Sequence, residues 1–165
     1  MQFRIEKLAK HDRSDFDCGT DILNRYLQRQ AGQDQRKRVA VCFVAVDDET
    51  ERVAGFYTLS SGSLELDRLP DSLRKRLPRY SVVPMVIMGR LAVAATAQGS
   101  GLARALLFDA TSKVARLDVG AFGLLVDAKD EASESFYHHH GFVKLESSEP
   151  DERTLVLPMS NARNH

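Results

Sequence analysis

Gly99 and Gly101 stand in the run Gln98-Gly99-Ser100-Gly101-Leu102-Ala103-Arg104, between an apolar stretch and a helical pattern. Two glycines let a backbone approach a ligand closely, and the N–H groups of a helix's first turn point at whatever sits there. The helix dipole adds partial positive charge at that end, so an anion, a phosphate-bearing ligand above all, is the expected guest. Two common owners of such turns do not fit. A Walker-type loop needs a lysine after its last glycine, and Leu102 follows Gly101. A dinucleotide fingerprint needs a third glycine or alanine where Arg104 stands.

Other residues invite chemistry and give less. His138, His139 and His140 are consecutive, and helix neighbours point about 100° apart, so three in a row cannot face one metal ion. No metal is expected. Cys18 has no evident paired base, and Cys18 and Cys42 read as small apolar side chains.

The elements that must position the glycine turn follow from patterning. Val82 to Val93 reads as a strand, with Gly89 marking a bulge or a close approach. After the turn, Ala103, Leu106, Leu107, Ala110, Val114 and Leu117 lie on one helical face. Upstream, Phe3 to Glu6 alternates as a strand, and Thr20 or Asp21 caps a helix carrying Ile22, Leu23, Tyr26 and Leu27, fading into Gln28 to Arg38. Val39 to Val46 and Val53 to Leu59 form an antiparallel pair; Gly62 and Ser63 break the second, and Leu64 to Leu66 pairs briefly again. Pro70 to Pro78 is a short basic helix or loop. Phe122 to Val126 is a buried strand, and Asp130 caps a helix with Ala132, Phe136 and His140 on one side, ended by Gly141. Phe142 to Leu145 and Thr154 to Leu157 close a hairpin across the acidic loop Ser147 to Glu152. The order predicts an α/β domain with a mixed sheet.

At 165 residues the chain is expected to be a single domain, 1–165. Its 43% hydrophobic and 28% charged residues are ordinary for a globular protein, and zero formal net charge gives no bulk attraction to nucleic acid or membrane. The charge is uneven, with basic clusters at Arg36-Lys37-Arg38 and at Arg74-Lys75-Arg76 with Arg79, so a basic face can hide in the total. Two cysteines, no signal-peptide pattern and no apolar run near 18 residues point to a reducing cytoplasm and no membrane span.

The strand, the turn Gln98-x-x-Gly101-x-Ala103 and the helix together resemble the acetyl-CoA-binding motif of the GNAT acetyltransferase superfamily. The resemblance implies the GNAT fold: a central mixed, mostly antiparallel sheet with a β-bulge strand, flanked by helices on both faces. It implies that amides from Gln98, Gly99, Ser100, Gly101, Leu102, Ala103 and Arg104 hold the coenzyme pyrophosphate, and that Leu91, Ala92 and Val93 bond the pantetheine arm. Asp130 to Phe142 looks like the family's later helix, which makes Tyr137 the general acid. A phenol of pKa about 10 suits protonation of a departing thiolate.

Phe16-x-Cys18-Gly19, Gly55-Phe56-Tyr57-Thr58-Leu59, Gly89 to Val93 and Val126-Asp127-Ala128-Lys129 narrow the resemblance. Together they look like the tRNA-acetylating toxins of type II toxin–antitoxin modules. This implies acetylation of the α-amino group of an aminoacyl-tRNA to block translation. It also implies neutralisation by a ribbon-helix-helix antitoxin, through which alone DNA is contacted, and a homodimer. Arg90 and the cluster Arg74, Lys75, Arg76 and Arg79 are candidate tRNA contacts. One departure stands out: Ala94 occupies a place where the family commonly has aspartate, and no carboxylate occurs from Val82 to Phe108. An α-amine, with pKa about 7.7–8.0, needs a base less than lysine at about 10.4. Alternative readings are acetylation of a small amine or protein N-terminus, and a partner-binding module acting in transcriptional repression.

Overall fold

The computed structural model describes residues 2–147, 149 and 151–159. Ser148 and Pro150, within the acidic loop, lie outside the described residues. Seven strands form one sheet: β1 (Phe3–Lys7), β2 (Val41–Asp47), β3 (Val53–Glu65), β4 (Val82–Val93), β5 (Gly123–Asp127), β6 (Val143–Lys144) and β7 (Thr154–Pro158). Their order is β1-β2-β3-β4-β5-β7-β6. The β1–β2, β2–β3, β5–β7 and β6–β7 pairs are antiparallel, and β4–β5 is parallel. The helices that flank it are α1 (Asp21–Arg25), α2 (Ala31–Arg36), α3 (Asp71–Arg74), α4 (Leu102–Ala115) and α5 (Glu131–His139). This is the expected mixed α/β architecture.

Two compact units divide the chain: residues up to Ser60 with Gly89–Ala110, and Ser61–Met88 with the residues from Thr111 onward. The first unit has a core of Phe16, Tyr26, Leu27, Val44, Val46, Phe56 and Ala92. The second is built on Leu64, Leu69, Leu73, Met85, Leu125 and Val156.

Three local expectations change. The first helix is not one α-helix. A π turn, Tyr26–Gln30, joins α1 to α2. The extra residue turns Tyr26, Leu27 and Ala31 inward and leaves Ile22 75% exposed, so Ile22 does not share the buried face. Gly62 does not break β3, which runs unbroken to Glu65. A Cβ there would collide with the Ile87 side chain, so glycine admits a close neighbour instead of ending the strand. Gly89 of β4 marks a close approach as read, since a Cβ there would come 3.2 Å from the Thr58 hydroxyl oxygen, and in the β2–β3 pair a register shift lies between Ala45 and Val46, opposite Val53 and Gly55. On α4, Leu102, Leu106, Leu107, Ala110 and Val114 are buried, whereas Leu117 lies beyond the helix end and is exposed.

Candidate functional site

In the first unit, strand β4 delivers Leu91, Ala92 and Val93 to a 3₁₀ turn, Ala95–Ala97, and then to the glycines. Gly99 and Gly101 have φ of +80° and +85°, a region that glycine enters without the steric cost other residues meet. Nothing lies within 4 Å of where a Cβ would stand on either one, so the turn opens onto space. The Gln98 side chain fixes the turn from behind, its Nε2 donating to the carbonyls of Val93 and Cys18 at 3.4 Å each. The first intrahelical bond of α4 runs from the Ala105 N–H to the Gly101 carbonyl, at 3.1 Å. The N–H groups of Leu102, Ala103 and Arg104 therefore precede the helical ladder and remain for a ligand. Positive-φ glycines, open space and first-turn amides fit a bridging phosphate group, which the amides would take as hydrogen-bond acceptor.

The helix behind the turn is seated closely. A Cβ on Gly55 of β3 would come 3.0 Å from the Ala92 carbonyl and the Leu106 side chain, so glycine lets α4 and β4 approach. Nearby, the buried Tyr57 hydroxyl donates to Asp109 of α4 at 2.5 Å, a tie that patterning alone did not reveal. Burial, then the Asp109 contact, hold the Tyr57 phenol well above its usual range.

Arg90 also belongs to this unit. It is half-buried and its guanidinium carbon stands 3.5 Å from the centroid of the Tyr26 ring. Its partner Tyr26 was foreseen only as a core residue. An aromatic eight residues before an acidic Asp34 is the one sequence trace of this arrangement.

In the second unit, Asp130 caps α5 as expected, its Oδ1 accepting from the Ser133 N–H at 2.8 Å. The helix carries Tyr137, which is 7% exposed and set between the rings of Phe136 and Phe142, each 5.3 Å away. Burial pushes its phenol up to about 12, and among the described residues none hydrogen-bonds its hydroxyl. A protonated, unspent hydroxyl at neutral pH is a proton donor in waiting. The basic segment of this unit is partly committed. Arg74 pairs with Asp71 and donates to the Asp67 carbonyl, and Arg76 lies 5.8 Å over the Phe122 ring, while Lys75 and Arg79 are exposed.

His138 and His139 are exposed and His140 is half-buried. Among the described residues no group of His, Cys, Asp and Glu is arranged to hold a metal ion. Both cysteines are free; Cys42 is buried and its thiol is pushed up to about 12, which suits packing and not nucleophilic attack. Among the described residues no helix is long and apolar enough to cross a membrane.

An acetyltransferase (GNAT) domain model matches residues 83–162. A tRNA-acetylating toxin of Mycobacterium tuberculosis (strain ATCC 25618 / H37Rv) is 34% identical over 154 residues, 92% of this chain and 89% of the relative. Among solved structures, AtaT complexed with acetyl-methionyl-tRNAfMet is similar with TM-score 0.90 and 30% identity, over 99% of this chain and 98% of that one. A tyrosine-to-phenylalanine mutant of AtaT bound to the C-terminus of the antitoxin AtaR and acetyl-CoA is similar with TM-score 0.82 and 28% identity, over 98% and 96%. The chain belongs to the GNAT acetyltransferases and is an N-acetyltransferase.

Proposed function

From its membership of the GNAT N-acetyltransferases, we propose that this chain works as one domain, residues 1–165, and acetylates the α-amino group of an aminoacyl-tRNA to block translation. The open turn at Gly99 and Gly101 ahead of α4 carries this reading, in a chain 34% identical to a tRNA-acetylating toxin. Acetyl-CoA, when bound, supplies a thioester whose acyl carbon an amine attacks. The segment from Gln98 to Arg104 holds the pyrophosphate through its open amides, those of Leu102, Ala103 and Arg104 foremost, since the Gln98 and Ser100 N–H groups donate to the Ala95 and Ala97 carbonyls. Backbone groups of Leu91, Ala92 and Val93 align the pantetheine arm. As the carbonyl–nitrogen bond forms and the carbon–sulfur bond breaks, Tyr137 gives its phenolic proton to the departing thiolate and is reprotonated from solvent, to which the attacking nitrogen sheds its surplus proton. No residue from Val82 to Phe108 is a carboxylate, so β4 orients and supplies no base. An α-amine with pKa about 7.7–8.0 is already partly deprotonated at neutral pH.

Arg90 with the exposed Lys75, Arg76 and Arg79, and with Arg74, takes tRNA phosphates. The partners are a ribbon-helix-helix antitoxin, which alone contacts DNA, and a second copy of the chain in a homodimer, all in the cytoplasm. The solved AtaT complexes with acetyl-methionyl-tRNAfMet and with an antitoxin C-terminus support tRNA and an antitoxin as partners.

The test is incubation with acetyl-CoA and total charged tRNA, followed by mass spectrometry of the esterified amino acids. N-acetylated species from at least one tRNA are expected. Modification of free amines alone would transfer the chain to the small-amine class and overturn the reading.

A further inference from the structure

Arg90 is held in one orientation by groups that have no part in the acetyl-transfer chemistry. The Tyr26 ring lies 3.5 Å from its guanidinium carbon and is itself buried, stacked with Phe56 at 6.1 Å between centroids. The Tyr26 hydroxyl donates to Asp34 Oδ2 at 2.9 Å, and Gln30 Nε2 donates to Asp34 Oδ1 at 2.9 Å. Tyr26 and Gln30 open and close the π turn, whose wide bond runs from the Ala31 N–H to the Tyr26 carbonyl. Single π turns inside helices recur at functional sites. The Gln30 bond, then that of Tyr26 and the nearby positive charge of Arg90, keep Asp34 below the usual carboxylate range, so it stays an acceptor at neutral pH.

Among the described residues none accepts a hydrogen bond from the Arg90 guanidinium. An arginine stacked by its face keeps its in-plane N–H donors, and that fork matches two oxygens of a phosphate. Arg90 immediately precedes Leu91–Val93, the segment assigned to the thioester arm.

We propose that Tyr26 and Asp34 are positioning residues that hold Arg90 flat, so that it receives a backbone phosphate near the aminoacylated end of the tRNA. The clamp rests on the aminoacyl-tRNA reading. It sets the affinity for the charged tRNA and leaves the transfer step itself to other groups. A stacked plane, and not charge alone, is what the clamp supplies. Lysine in its place keeps the charge and loses both the fork and the stacking.

The experiment is steady-state acetylation of charged tRNA at saturating acetyl-CoA, over a series of salt concentrations. Arg90→Ala is expected to raise KM about tenfold with kcat within about threefold, and to lower the slope of log affinity against log salt by about one. Tyr26→Leu and Arg90→Lys are expected to reproduce most of the KM rise, while Tyr26→Phe, which keeps the ring, loses much less. The double variant Tyr26→Leu with Arg90→Ala is expected to be no worse than Arg90→Ala alone. Arg116→Ala, an exposed arginine elsewhere, should leave KM and slope alone. Each variant's thermal shift with acetyl-CoA verifies its fold, and Arg90→Lys carries the test where Tyr26→Leu does not fold. Wild-type KM in Arg90→Lys, or an unchanged salt slope in Arg90→Ala, overturns the clamp. Failure of the wild-type protein to acetylate any charged tRNA instead removes the reading on which the clamp rests.

Discussion

Tyr137 is the residue we propose for the acid half of the reaction. Its ring is fixed by Phe136 and Phe142, its hydroxyl has no described partner, and burial keeps its proton to a pH of about 12. Tyr137→Phe removes the proton and little packing, so turnover should fall about 10²–10⁴-fold while the thermal shift with acetyl-CoA persists. The pH profile supplies a second reading of the same residue. A general acid must be protonated, and Tyr137 loses its proton only as pH rises through about 12. Acetylation should therefore climb as the amine deprotonates near pH 7.7–8.0 and stay level to about pH 10. A descending limb centred below pH 9 would remove Tyr137 from the role.

At the scale of elements, the turn and α5 make opposite demands of their backbones. The turn needs glycine. At Gly99 or Gly101 alanine meets no atom, but positive φ costs it about 1 kcal/mol, and its methyl stands in the space assigned to the pyrophosphate. Each substitution should lower stability by that amount, read from urea midpoints, and raise the KM for acetyl-CoA far more than that loss explains. Unchanged KM would place the coenzyme elsewhere. For α5 the demand is a cap: Asp130→Ala should lower stability by about 1 kcal/mol in the same measurement. Cap and glycine turn were both legible because short-range chemistry dictates them. A carboxylate three residues before a free N–H, or a glycine at positive φ, needs no distant partner. The π turn was not legible, because nothing in Gln28 to Gln30 signals an added residue and tertiary packing of Tyr26 and Leu27 decides it. Gly62 misled for a similar reason. Glycine reads as a break along the chain, yet here the neighbour across the sheet, Ile87, sets its meaning. The Tyr57–Asp109 tie spans 52 residues and no local pattern could announce it.

For the whole molecule, titration limits stability at both ends of the pH scale, and the alkaline end separates one buried cysteine from the tyrosines. On the acid side, Glu6 is lowered by its bond with His11, Asp17 by the Gly19 N–H, Asp130 by Ser133 and Glu134 by Lys144 and Arg153. Groups depressed by folding contribute stability above their unfolded values, near pH 4, and lose it as pH falls further. On the alkaline side the sign reverses. Cys42 and the tyrosines Tyr26, Tyr57 and Tyr137 are raised by burial, so the unfolded chain releases protons first and stability falls with rising pH. The unfolded thiol titrates near 8.5 and the phenols near 10. Urea midpoints should then hold level from about pH 5 to 8, decline gently from about 8.5, and drop steeply above 10. Cys42→Ala removes the first group and leaves the rest, so the gentle limb should vanish and the midpoint stay level to about pH 10. If the decline from pH 8.5 persists in that variant, the Cys42 thiol is not the group that starts it, and its burial does not govern alkaline stability.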